Sequence, residues 1–175
     1  SSNIILYNTI FRWKYPLWYA RNIQANNITL LDTARSGIWY TTGITLIDSM
    51  IQAPKTFRRA TDITLERVEM PNAQETLWNC NDITLKHVNA AGDYFAMNSE
   101  NIHIEHFTLS GNYAFDGAKN IEVSHAKLLS KDSFWNCENV VVRNSTIIGE
   151  YLGWNSKNIT FIDCIIESNQ GMCYM

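Results

Sequence analysis

Five carboxylates recur at nearly even intervals, at Glu75, Asp93, Asp116, Asp132 and Glu150. Glycoside hydrolysis needs two such groups about 5 to 9.5 Å apart, one as acid and one as nucleophile or base. Asp116, Asp93 and Asp132 are the catalytic candidates. Asp116 leads because it falls in a series of positions otherwise rich in tryptophan, and an apolar setting favours the protonated form that a general acid needs. Its competing reading is a surface carboxylate at a turn. Lys14, Arg35, Lys55, Arg58 and Arg59 precede these acids in the chain. A polysaccharide lyase would take its base from such residues and hold calcium with clustered acids.

Aromatic residues supply a second chemistry. Trp18, Trp39, Trp78, Trp135 and Trp154 form one series, with Arg58, Met97, Asp116 and Cys173 in its remaining positions, and Tyr15, Tyr19, Tyr40, Tyr94, Tyr113 and Tyr151 lie close by. Flat amphipathic rings on a rigid groove suit the apolar faces of sugars, while charged groups fix orientation. The candidate ligand-binding residues are therefore Trp18, Trp39, Arg58, Trp78, Tyr113, Trp135 and Trp154. The competing readings are a cover over the core and a protein interface.

His87, His106 and His125 are each 19 residues apart. Imidazoles so spaced could share a metal ion, but ligands in a line do not make a tetrahedron, so an exposed turn ladder is expected and no metal or other cofactor is assigned. The four cysteines form no CxxC pair, and Cys80 and Cys137 recur in one series too far apart to bond. Buried thiols in a reducing, cytoplasmic compartment are expected, although a removed secretion signal would leave the same composition.

What must position these residues is a repeat. An isoleucine-led tetrad returns at Ile4, Ile23, Ile44, Ile63, Ile83, Ile102, Ile121, Val140 and Ile159, with gaps of 19 to 21 residues. Such a period marks units that bury their apolar faces only by stacking. Apolar residues fall at the anchor and two and seven positions after it, as in Ile63, Leu65 and Met70; alternation by two is the strand period. The fifth position carries smaller or mixed groups such as Ser49, Val68 and Ala126, which suggests a second inward-facing strand after a bend. Asn, Asp or Gly precedes every anchor, and Asn79, Asn98, Asn136 and Asn155 lie four positions before the next one, interrupted by Gly117. These residues tolerate left-handed backbone, and stacked amides can bond to one another.

The expected fold is all-β, a right-handed single-stranded parallel β-helix of about nine rungs and one domain over residues 1–175, roughly 43 Å long at the usual strand spacing. The segments "ETLWNCNDITL", "DYFAMNSENI", "SFWNCENVVV" and "YLGWNSKNITF" resemble a bacterial family of pectate-lyase-like β-helix proteins classed as a domain of unknown function. The resemblance implies the fold and brings no catalytic residues. It also implies longer members, so one or both capping segments are expected to lie outside these residues. Open rungs present unpaired edges that invite self-association.

Charge is uneven: residues 1–67 hold eight Lys and Arg against four acids, and the remainder six against thirteen. This polarity disfavours nonspecific nucleic-acid binding, and no apolar run is long enough for a membrane span. Two functions follow as expectations. One is a carbohydrate-binding or carbohydrate-active protein working through the aromatic and carboxylate face on an oligosaccharide. The other is a non-catalytic interaction scaffold whose aromatic strip is covered by protein, with self-association through its ends or strip.

Overall fold

The computed structural model describes residues 1–174, and over these the chain is a parallel β-solenoid of nine turns. The strands are β1 (Ser2–Phe11), β2 (Arg21–Leu30), β3 (Thr42–Ile51), β4 (Thr61–Met70), β5 (Asn81–Ala91), β6 (Glu100–Ser110), β7 (Lys119–Leu129), β8 (Asp132–Ser133), β9 (Glu138–Arg143), β10 (Thr146–Leu152), β11 (Lys157–Ile162) and β12 (Ile165–Gly171). β1 to β7 stack in sequence order, after which the long strand divides: β7 pairs with β9 and β10, β9 with β11, and β10 with β12. Register follows the anchors, as in Ile63↔Ile83 and Ile102↔Ile121. Each turn is numbered here as a rung by its anchor, from Ile4 in rung 1 to Ile159 in rung 9.

The apolar spacing has a backbone cause. In β4, Ile63, Leu65, Val68 and Met70 are all buried, although Leu65 and Val68 are three apart. Arg67 between them sits at φ 53°, and a left-handed residue there turns the strand and resets which side chains face inward. The same column is left-handed at Asn8, Asn27, Asp48, His87, His106, His125, Asn144 and Asp163. In rungs 3 and 8 the inward residue that follows is a serine that serves the main chain. Ser49 Oγ donates to the Ile47 carbonyl at 2.8 Å and accepts the Ile28 N–H at 3.0 Å.

The columns before each anchor are left-handed too, as Asn79, Asn98, Gly117, Asn136 and Asn155 show. Two further left-handed columns are occupied mainly by residues other than Asn and Gly: Leu17, Ile38, Phe57, Leu77, Ala96, Phe115 and Phe134, continued by Gly153, and Tyr15, Ser36, Lys55, Glu75, Tyr94 and Tyr113. Such backbone costs an L-residue about 1–2 kcal/mol. Burial offsets it in the first of these columns, where Phe57, Phe115 and Phe134 are fully buried, with the rings of Phe115 and Phe134 stacked at 5.1 Å. Outside the barrel, Asn158, Asn139 and Asn120 each donate an amide N–H to the Asn one rung back at 3.1 Å, making the expected ladder.

Candidate functional site

The tryptophan column faces outward, with each ring half-buried. Trp18 and Trp39 stack at 5.1 Å and 9°, and Trp135 and Trp154 at 5.2 Å and 10°. Between Trp39 and Trp78 lies Arg58, its Cζ 4.6 Å from both ring centroids. Four of the pyrrole N–H groups donate to the main chain, as Trp39 does to the Lys55 carbonyl at 2.8 Å and Trp135 to that of Tyr151 at 3.0 Å, whereas Trp154 Nε1 is buried without a partner among the described residues. Stacking thus engages the flat faces that a sugar would use, over Trp18, Trp39, Arg58 and Trp78 and again over Trp135 and Trp154. The column is broken in rungs 5 and 6, at Met97 and Asp116.

At that break, four of the residues singled out from the sequence come together. In rung 6 the order is Tyr113 then Asp116; in rung 7 it is Asp132 then Trp135. The Tyr113 and Trp135 rings meet edge-on at 5.8 Å and 89°. Asp132 interrupts a tyrosine column in which Tyr94 and Tyr113 stack at 4.9 Å, and it pairs in register with Tyr151 in the next rung. Its side chain is 1% exposed, and Oδ2 finds no hydrogen-bond partner among the described residues. Burial pushes this carboxyl up; nearby Glu150 and Asp116 add to the rise, and Lys131 opposes it.

Asp116 is half-buried, and its Oδ1 accepts the Asn136 side-chain N–H at 2.9 Å. Asn155 donates to Asn136 at 2.7 Å, so Asp116 ends an amide ladder beside the position that Gly117 leaves without a side chain. A Cβ at Gly117 would lie 2.1 Å from Asn98 Oδ1, so the Asn98 amide already fills that space.

Asp93 stands apart from the break, with a structural role. Its Oδ1 accepts the Asn112 backbone N–H at 2.8 Å, while its own N–H donates to Gln74 Oε1 at 3.2 Å. Glu75 forms an ion pair with Lys55 at 3.3 Å. Cys80 and Cys137 are buried, and burial pushes both thiols up to about 12. The three histidines of the series are exposed and stacked, and among the described residues no group of His, Cys, Asp or Glu converges on a metal position.

A groove of ≈ 710 Å³ on another face was passed over by sequence reasoning. Its walls are the Asn101–Asn120–Asn139–Asn158 ladder and the residues that follow each anchor, among them His103 and Glu122. His103 lies between Glu105 Oε1 at 2.9 Å and Glu122 Oε2 at 3.4 Å. Its hydrogen bond to His103 holds the Glu105 carboxyl below the usual range. The signal was available: the anchor faces inward, so its two neighbours face outward along the whole rod.

In outline the chain is similar to QnrB1, a plasmid-mediated fluoroquinolone resistance protein, with a TM-score of 0.42, 13% identity, and coverage of 91% of this chain and 90% of that chain. It is also similar to the A-module of the mannuronan C-5 epimerase AlgE4 of Azotobacter vinelandii, with a TM-score of 0.33, 13% identity, and coverage of 88% of this chain and 58% of the other. No curated protein matches the sequence. Residues 1–175 match the model of DUF3737, described as a protein of unknown function, and the chain belongs to that family.

Proposed function

We propose that the chain binds an oligosaccharide at the break in its aromatic columns, where Asp116 stands beside Tyr113 in one rung and in the column of Trp135 in the next. The observation that carries the reading is this half-buried carboxylate flanked by two rings that meet edge-on at 5.8 Å. A short acid in place of a ring leaves room beside a neighbouring aromatic, the combination that sugar recognition needs: carboxylate oxygens for hydroxyls and an apolar ring for the carbon skeleton. The proposal is binding without cleavage. Hydrolysis requires both carboxylates to reach the glycosidic bond, and the Asp132 side chain is 1% exposed.

The test is a glycan array on the folded protein, followed by calorimetry with the strongest ligand. Asp116→Asn and Trp135→Ala should each weaken binding by roughly tenfold or more, about 1.4 kcal/mol, with an unchanged far-UV spectrum. Retained affinity in both folded variants, or no glycan ligand at all, would remove the basis for this reading.

The second reading, a non-catalytic interaction scaffold, is favoured by apolar exposure in rung 1, where Ile5, Tyr7, Trp13 and Tyr19 are each at least 66% exposed. Light scattering over a concentration series distinguishes the two, because the scaffold reading requires assembly that persists without sugar.

A further inference from the structure

The groove beside the histidine stack has a chemistry that the sugar reading does not use. His87, His106 and His125 occupy one corner column in rungs 5, 6 and 7, at φ 53°, 53° and 52°. That shared backbone throws each ring the same way, and the rings stack at 4.7 Å and 3°, then 4.8 Å and 19°. Imidazole N–H bonds lie in the ring plane, so stacked rings present their nitrogens sideways, one above another. They line a groove of ≈ 490 Å³ together with Asn89, Thr108, Lys127 and Asn144, and no carboxylate is among its walls.

We propose that this column is a binding site for a multiply charged oxyanion, one bearing sulfate, phosphate or several carboxylate groups, and that it fills as the imidazoles take up protons. Imidazole gains its charge in the mildly acidic range. Positive charges about 4.8 Å apart repel one another, and an oxyanion against the column offsets that repulsion. Binding and proton uptake are therefore linked, each promoting the other.

The surrounding charges are of both signs. Arg67 precedes His87 in the column and is paired with Asp48 and Glu66. Lys86, Glu105 and Arg143 lie one residue before His87, His106 and Asn144, and Glu105 is engaged by His103. Glu69 accepts the Asn89 side-chain N–H at 2.7 Å, and Asp163 continues the column beyond Asn144. Lys127 is thus the one permanent cation among the described residues that wall the groove.

The chain has four histidines, so His103, on a different face and held between two glutamates, is an internal reference. The experiment is a titration of the four imidazole C2–H resonances from about pH 8 to about pH 5, in sodium sulfate and in sodium chloride at equal ionic strength. In sulfate, the midpoints of the three stacked rings should rise by about one pH unit, a tenfold linkage, while that of His103 stays in place. The rise should vanish in His106→Gln and shrink in Lys127→Gln, two exposed substitutions that leave the barrel intact. Separate arms with inorganic phosphate and with citrate identify the source: a response to phosphate assigns tetrahedral anions, and a response to citrate assigns polycarboxylates. Equal movement of all four resonances, an undiminished rise in His106→Gln, or no response to any of the three anions would overturn the proposal.

Discussion

Arg58 offers the sharpest test of what holds the aromatic column together. Its guanidinium lies 4.6 Å from the Trp39 and Trp78 centroids, and a cation on an indole face is worth about 0.5 to 2 kcal/mol, so two half-buried faces contribute about 2 kcal/mol together. The methylene stem adds about 1–2 kcal/mol of burial. Against this, Nε is buried without a partner among the described residues, at about 1–3 kcal/mol. Removing all three terms in Arg58→Ala should cost about 2 kcal/mol net. Arg58→Trp exchanges the cation for two indole stacks at about 0.5–1.5 kcal/mol each and removes the orphan nitrogen, so it should stay within about 1 kcal/mol of the parent. Arg58→Lys, compact and non-planar, should fall between. Urea unfolding followed by far-UV circular dichroism reads these as midpoints, with Ala shifted down by about 1 M at a slope of about 2 kcal/mol/M. An alanine midpoint within about 0.2 M of the parent, or a tryptophan variant as weak as alanine, would refute the reasoning.

Four further outcomes follow from the same geometry. A Cβ at Gly111 would lie 1.9 Å from the Gly92 carbonyl oxygen, so Gly111→Ala should destabilise by about 2–4 kcal/mol in the same urea assay. At Gly117 the obstruction is only the Asn98 side chain, and Gly117→Asn, suited to φ 74°, should lie within about 0.5 kcal/mol of the parent. With Cys80 and Cys137 pushed up to about 12, Ellman's reagent at neutral pH should react with Cys164 and Cys173 and reach the buried pair only after unfolding. The native carboxyl of Asp132 holds its proton to higher pH than the unfolded one, so its contribution to stability is present below the ordinary carboxylate range and is lost as pH rises through the native value. Asp132→Asn should accordingly be more stable than the parent at neutral pH, with the advantage disappearing near pH 4; an advantage that grows on acidification would contradict the burial argument.

Much of the solenoid could be read from the chain because each rung repeats one solution. Ile63, Leu65, Val68 and Met70 show strand parity and its reset, and the Asn and Asp columns mark three of the corners. The remaining corners were hidden because they fall on residues such as Ile38, Phe57 and Tyr113, whose own preferences oppose left-handed backbone. Only the rungs above and below impose it, and that is a tertiary cause. The tryptophan series was legible as a column, but not the direction of its rings, which depends on hydrogen bonds such as Trp78 Nε1 to the Tyr94 carbonyl at 2.6 Å. Asp116, Asp132, Tyr113 and Trp135 were named separately. Their diagonal arrangement needed the register between rungs 6 and 7, in which the Phe134 N–H donates to the Ala114 carbonyl at 3.0 Å and the Gly117 N–H to that of Trp135 at 2.8 Å.

The division of the long strand after β7 has a mechanical meaning. Hydrogen bonds between rungs run along the rod, so a pull on its two ends loads the junctions in series, and the rod yields at the weakest. From β5 to β6 the junction is continuous from Asn81↔Glu100 to Ala91↔Ser110. From β7 onward it is shared between Lys119–Ser124 against β9 and Lys127–Leu129 against β10, with the bend at Asn144 and Ser145 between them. The same two-residue interruption recurs between rungs 2 and 3 and between rungs 8 and 9, so under tension the rod should tear at these three junctions first while rungs 3 to 7 remain wound together.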